Sequence, residues 1–270
     1  MNTPVMIIVV LVGVGTIFGV VLALANKKFA MEVNPLIEEV EDILPKGQCG
    51  ACGYAGCAKY AEAVVEDDSV PPNLCVPGKA EVAAKVAELT GKKAEAAEPK
   101  YARLKCRGNY AAAKILADYE GVADCAAAKL VMGGPKGCKF GCLGFGNCVN
   151  ACPFGALSMG EDGLPVVDKD VCTGCGKCVA TCPQHIIALE TFDAPVEVLC
   201  SNMDKGATAR KNCRNACLGC GLCLKNCPHG AIKLEKNLAR VDSSICAQKC
   251  DEPTCLEKCP TKAINSLIKK

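Results

Sequence analysis

The sequence predicts an α+β chain of small, metal-stabilised modules strung behind one apolar helix. Three observations predict it. Twenty-four cysteines occur among 270 residues. Large side chains are scarce, with no Trp, 6 Phe and 5 Tyr, so that much of the apolar half is Ala and Cys. Residues 5–25 carry no charged group. Modules of roughly 50–60 residues with so few large side chains cannot bury enough surface to offset chain entropy unaided. Metal bonded by several side chains supplies the missing cross-links and makes folding depend on it.

As a helix, residues 5–25 would span ~31 Å, enough for the hydrocarbon core of a bilayer. Lys27 and Lys28 follow at once, and no Lys or Arg precedes. The positive-inside rule then makes 1–28 an anchor with its N-terminus outside and the rest cytoplasmic, a reducing compartment that suits bare thiolates. A cleaved signal is the alternative, since Ala23-Leu24-Ala25 resembles a cleavage site. Signals, however, carry their positive charge before the apolar run. Gly15 and Gly19 form a small-x3-small pair that either seats a neighbouring helix or reflects how common glycine is in such helices. With no ionisable residue inside it, this helix alone moves no ion across a membrane.

Residues 29–91 begin with an acidic, amphipathic stretch at 35–44 and reach Cys49-Gly-Ala-Cys52-Gly-Tyr-Ala-Gly-Cys57, with Cys75 as the fourth thiol. Glycines among the cysteines let the backbone wrap a cubane and aim N–H groups at its sulfurs. The pattern suits one isolated 4Fe-4S cluster. Residues 79–90 read as a helix closed by Gly91, and 92–100 as a linker within a segment, 92–135, that contains Cys106 and Cys125.

Downstream the chain repeats itself. Cys172, Cys175, Cys178, Cys182-Pro183 and Cys217, Cys220, Cys223, Cys227-Pro228 both read C-x2-C-x2-C-x3-C-P. In two-cluster ferredoxins this run gives three cysteines to one 4Fe-4S cluster and the fourth to its neighbour. A stretched ladder, Cys138, Cys142, Cys148, Cys152-Pro153, precedes the first regular one. Another, Cys246, Cys250, Cys255, Cys259-Pro260, follows the second. Two ferredoxin-like domains are therefore expected at 136–190 and 216–270. The crossing rule predicts four ligand sets. They are Cys138, Cys142, Cys148 with Cys182, and Cys172, Cys175, Cys178 with Cys152. In the second domain they are Cys217, Cys220, Cys223 with Cys259, and Cys246, Cys250, Cys255 with Cys227. Cys106, Cys125, Cys200 and Cys213 are left over, the last two in the connecting segment 191–215. They form either a sixth ligand set or buried free thiols; six clusters are expected in the first case and five in the second. A disulfide scaffold is the rival for so many cysteines. Zinc is the other, but its sites pair two C-x2-C halves rather than repeating triplets with a trailing Cys-Pro.

Taken in order, these features give an N-terminal transmembrane helix, a single-cluster 4Fe-4S domain and tandem two-cluster ferredoxin-like domains. The whole chain resembles the iron–sulfur B component of the Rnf complexes, the ion-translocating ferredoxin:NAD oxidoreductases. The resemblance runs from the anchor through Leu44-Pro45 and the Cys49–Cys57 element to the ladders, and its most specific part is that element directly after the anchor. It implies an electron-input role in a multi-subunit oxidoreductase, with reduced ferredoxin as donor and flavin- and NAD-binding sites on partner subunits. Shorter members of the family carry one ferredoxin pair where this chain has two. A polyferredoxin component of another membrane dehydrogenase or hydrogenase is the alternative within electron transfer. A membrane-tethered zinc scaffold is the alternative outside it.

No G-x-G-x-x-G after a strand and no P-loop occurs, so no dinucleotide motif is present. No catalytic side chains and no nucleic-acid partner are expected. His185 and His229 follow Cys-Pro units and are read as surface residues. Charge is uneven: residues 200–270 hold 13 Lys/Arg against 6 Asp/Glu, and residues 29–100 hold 7 against 13. Six oxidised clusters, at about −2 each with their thiolates, would take the formal +2 to about −10. The basic C-terminal half, with Lys205, Arg210, Lys211 and Arg214, is the expected dock for an acidic ferredoxin. Electrons would then leave through the single-cluster domain beside the membrane.

Overall fold

The computed structural model describes residues 3–29, 34–94, 98–191, 195–250 and 252–266. Helix α1 (Thr3–Phe29) is the apolar segment. At 27 residues it is ~40 Å long, and its stretch Pro4–Lys28 is long and apolar enough to cross a membrane. Its large apolar side chains from Val5 to Leu24 are exposed; Leu11 and Leu22 are each about two-thirds exposed. An apolar surface this continuous needs a lipid or protein partner.

The next module packs three helices: α2 (Pro35–Ile43), α3 (Cys57–Glu66) and α4 (Lys79–Thr90). Asn34 caps α2, its side chain accepting from the Leu36 N–H at 3.0 Å, and Pro35 takes the first turn where no N–H is needed. Gly91 closes α4 in the left-handed region, as its position predicts. Val40, Leu44, Tyr60, Val64 and Val86 make the small core. Lys92, expected in the linker, belongs to this module: its Nζ donates to the carbonyls of Val64, Asp67 and Val70.

Two halves of like design follow. In the first, β1 (Lys100–Leu104) pairs antiparallel with β4 (Ile187–Thr191), and β2 (Leu157–Met159) with β3 (Pro165–Val167) forms a hairpin. Helices α5 (Cys125–Leu130), α6 (Asn147–Asn150) and α7 (Lys177–Thr181) fill the gaps. In the second, β5 (Val196–Val198) pairs with β8 (Ile264–Ser266), and β6 (Ile232–Glu235) with β7 (Leu238–Val241). Its helices are α8 (Gly206–Asn212), α9 (Leu222–Lys225), α10 (Ser243–Lys249) and α11 (Thr254–Lys258). Strand β1 lies in the segment read as linker. It is recruited because Tyr101 and Ala102 are buried under β4.

The Cys-Pro units explain the repeat. Three residues after each of Cys152, Cys182, Cys227 and Cys259, the residue (Gly155, His185, Gly230, Lys262) is left-handed and its N–H points back to the cysteine carbonyl, at 3.0–3.5 Å. Proline fixes the first step of this reversal. The next residue, Ala156, Ile186, Ala231 or Ala263, is buried and immediately precedes a strand. The middle glycines of the two regular ladders are equally constrained. A side chain on Gly174 would strike the Lys100 carbonyl, and one on Gly219 the Asn237 carbonyl.

The halves are fused. Arg103 and Lys105 at the end of β1 both pair with Glu197 of β5, and Lys105 also meets Glu190 at 2.6 Å. Burial pushes the Lys105 ammonium below its usual range, with Glu190 pulling the other way. Ser201 Oγ donates to the Lys105 carbonyl at 3.0 Å and Asn215 Nδ2 to that of Arg107 at 2.9 Å. Removing one member of a buried charge group strands the others, at about 3–5 kcal/mol. Glu197→Gln should therefore lower the urea midpoint for loss of cluster absorbance, whereas Glu62→Gln on an exposed helix pair should leave it in place.

Candidate iron–sulfur centres

Each of the 24 cysteines is described, and none is in a disulfide, which sets aside the disulfide scaffold. They gather in six groups of four. Cys57 opens α3 and Cys75 precedes a 3-10 turn, Val76–Gly78, bringing both beside Cys49 and Cys52. Burial pushes the Cys75 thiol up to about 11, and Cys57, Cys49 and Cys52 add to the rise. Gln48 Oε1 accepts from the Cys57 N–H at 3.0 Å, tying this loop to the helix start.

Cys178 is raised to about 12, by burial and then by Cys172 and Cys175, and Cys152 bears on Cys175. The Ala102 and Ala156 N–H groups donate to the sulfurs of Cys172 and Cys152 at 3.4 and 3.3 Å. In the second half, Cys217, Cys220, Cys223 and Cys259 share the wall of one cavity. Cys255 is raised to about 11, by burial, then Cys246, Cys227 and Cys250. In each of these three groups the fourth thiol comes from the other ladder of its half.

The remaining two groups differ. The expected set of Cys138, Cys142, Cys148 and Cys182 is not brought together. Cys125 instead joins Cys142, Cys148 and Cys182 around one cavity. Cys138 joins Cys106, Cys200 and Cys213 around another. Cys125 and Cys138 have thus exchanged places relative to the spacing argument. The physical reason lies in side-chain contacts. Cys138 is engaged instead by the buried Asn202, whose Nδ2 donates to its sulfur at 3.3 Å; the three-residue spacing to Cys142 is not the cause, since Cys246 and Cys250 share it and stay together. Cys125, at the start of α5, is held by its N–H donating to Asn147 Oδ1 at 2.9 Å, beside Cys148. No spacing rule could find that contact across 22 residues.

The donor chemistry fits 4Fe-4S clusters: sulfur only, four to a group, with three of the groups each lining one cavity. Among the described residues, no three His, Cys, Asp or Glu side chains converge as a single-ion site requires; zinc would hold four sulfurs about 2.3 Å from one point. Both histidines are exposed, as read from the sequence. When bound, such clusters accept and release one electron at a time. The chain contributes the thiolates, the N–H groups aimed at sulfur, and burial, which together tune the potential.

An anchored chain of ferredoxin-like modules with cysteine-walled centres is the class this defines: a membrane-associated iron–sulfur electron carrier. Comparison with known families agrees. A family described as an Fe-S cluster matches residues 44–77, and two described as 4Fe-4S dicluster domains match 140–187 and 171–231. The chain is 59% identical to the B component of the proton-translocating ferredoxin:NAD(+) oxidoreductase complex of Clostridium ljungdahlii, over 99% of this chain and 94% of that protein. It is 44% identical to the B component of the ion-translocating oxidoreductase complex of Methanosarcina acetivorans, over 95% and 96%. It is 43% identical to its Na(+)-translocating counterpart in Acetobacterium woodii, over 93% of this chain and 74% of that one. The chain belongs to the family of B components of the ion-translocating ferredoxin:NAD(+) oxidoreductase (Rnf) complexes, as its motifs imply.

The raised thiols set the pH dependence of assembly. Cys75, Cys148, Cys246 and Cys255 at about 11, and Cys142, Cys178 and Cys200 at about 12, are protonated near neutrality. Protonated, they favour the folded metal-free chain below the ordinary thiol range near 8.5, a contribution lost as pH climbs through 11 to 12. Iron takes only the thiolate, whose fraction rises about tenfold per pH unit below the pKa. Reconstitution from iron and sulfide should therefore be faster and fuller at about pH 8.5 than at about pH 6.5, with protons released into weak buffer. Equal yields and no acidification would contradict this.

Proposed function

We propose that this chain is the electron-input subunit of its complex, taking single electrons from reduced ferredoxin and relaying them through six 4Fe-4S clusters to partner membrane subunits. The observation that carries the reading is the gathering of all 24 cysteines into six groups of four within a chain of this family. No dinucleotide motif occurs in the chain, so flavin and NAD sites fall to the partners. Lys27 and Lys28 end the apolar helix, which supports an orientation with the N-terminus outside and the iron–sulfur modules in the cytoplasm. The same helix keeps the Cys49/Cys52/Cys57/Cys75 module beside the membrane subunits, as the last centre before them.

Ferredoxin is taken to dock on α8. Lys205, Arg210, Lys211 and Arg214 are all exposed, and they flank Cys213, which is buried. Arg214 also donates to the Ala111 carbonyl, which leaves Lys205, Arg210 and Lys211 as the steering charges. Attraction between exposed charges is screened beyond about 8 Å at physiological salt.

The purified protein should contain about 24 iron atoms with matching sulfide, four per cluster. Reduced ferredoxin should bleach it at a rate that falls with added salt. The double variant Arg210→Glu/Lys211→Glu should slow that rate by roughly tenfold or more at low salt without changing the iron content. Zinc in place of iron would end the reading, and a salt-independent rate would move the dock elsewhere.

A further inference from the structure

Deepening the relay reading above and resting on it, we propose that Cys106, Cys138, Cys200 and Cys213 hold a 4Fe-4S cluster that bridges the two ferredoxin-like halves, with Cys125 completing the neighbouring set in place of Cys138. The four sulfurs come from four separate segments: the end of β1, the start of the stretched ladder, the end of β5 and the end of α8. Two belong to the first half and two to the second. Nothing about their spacing along the chain marks them as a set; the fold assembles them.

The surroundings are built for sulfur. Cys106 Sγ accepts from the N–H groups of Gly108 and Cys142 at 3.3 and 3.4 Å. Cys200 Sγ accepts from those of Asn202 and Cys217 at 3.4 and 3.3 Å. Cys138 Sγ accepts from Asn202 Nδ2 at 3.3 Å. Asn202 is 1% exposed, and it serves two of the four sulfurs. Lys136 lies in the same wall, 5% exposed, with its Nζ donating to the Gly108 carbonyl at 2.9 Å. N–H groups aimed at sulfur stabilise thiolate and cluster alike. Buried free thiols, the other reading of these cysteines, call for no such array.

Two of those hydrogen bonds also set the site's place in the chain of centres. Cys142, donor to Cys106, lines the neighbouring cavity in the first half. Cys217, donor to Cys200, lines the neighbouring cavity in the second. The site therefore touches one cysteine set on each side through a single backbone N–H. The other sets continue outward in file. Cys148 lies near Cys178 in the first half, Cys49 near Cys175 at the membrane-side module, and Cys223 near Cys255 in the second half. Among the described residues, no other cysteine set links the halves. Each electron that crosses between them reduces this centre once and leaves it reoxidised, with no bond made or lost.

Iron counts on the anaerobically reconstituted full chain test the membership. Cys125→Ala/Cys213→Ala should lose two centres and hold about 16 iron atoms, and Cys138→Ala/Cys213→Ala only one, holding about 20. The reverse pattern would restore the spacing-based sets and overturn the proposal. Asn202→Ala keeps every ligand, so it guards against variants that fail to fold. It should retain about 24 iron atoms and shift one centre to a more negative potential in an EPR-monitored titration. That centre must be the one whose signal is absent from Cys213→Ala and present in Cys125→Ala; no shift, or a shift of another centre, would contradict the assignment. Stopped-flow reduction by ferredoxin tests the bridge. Cys213→Ala should bleach partially, stopping with one half oxidised, and complete bleaching at the wild-type rate would refute the bridge. If wild-type protein were not reduced by ferredoxin at all, the relay reading would fail while the iron counts still decided the ligand sets.

Discussion

Thiolate bonds to iron are the constraint on which everything else in this chain depends. The two halves have cores in which cysteine is a major constituent: Cys142, Cys148, Cys172, Cys178 and Cys182 lie among Tyr101, Leu157 and Ile187 in one, and Cys217, Cys223 and Cys255 among Ile232, Leu238 and Ile264 in the other. Strands of three to five residues and helices of four to seven are too short to hold themselves. Clusters bonded to four side chains each provide the closure that larger proteins obtain from apolar area. In the metal-free chain the buried, crowded thiols stay protonated near neutrality, so it lacks those cross-links. The same bonds that make the fold possible therefore make the conduction path, and neither exists without the other.

Much of this was legible in the sequence, and the boundary between what was and was not is physical. Helix α4 and its Gly91 cap, the apolar α1, and the reversals after Cys-Pro depend on residues within four or five positions of each other, so local pattern suffices. In three groups the fourth thiol comes from the other ladder of its half, a placement that short cysteine runs can encode. Cys125 and Cys138 fail that logic. Asn202 engages the Cys138 sulfur from 64 residues away, and Asn147 captures Cys125 from 22 residues away. The pairing of β1 with β4 and the Arg103–Glu197–Lys105–Glu190 group were equally hidden, since a charge run reads as solvated until partners from distant segments bury it.

The fusion of the halves has a functional consequence. Two independent ferredoxin domains on a tether would exchange electrons only on collision, at rates set by the linker. Here the buried ion group, the Ser201 and Asn215 hydrogen bonds and the shared cavity at Cys106 fix their geometry. A relay works best when its centres do not move relative to one another, since hopping falls off steeply with separation.

The most direct test of this account is removal of iron from the intact, reduced chain by a chelator under strict exclusion of oxygen, followed by far-ultraviolet circular dichroism and limited proteolysis. The account predicts that the ferredoxin-like halves lose their strand signal and become protease-sensitive together with the loss of visible absorbance, while helix α1 persists in detergent or lipid. Full retention of secondary structure and protease resistance in the iron-free chain would show that the polypeptide folds without its clusters and would contradict the central claim.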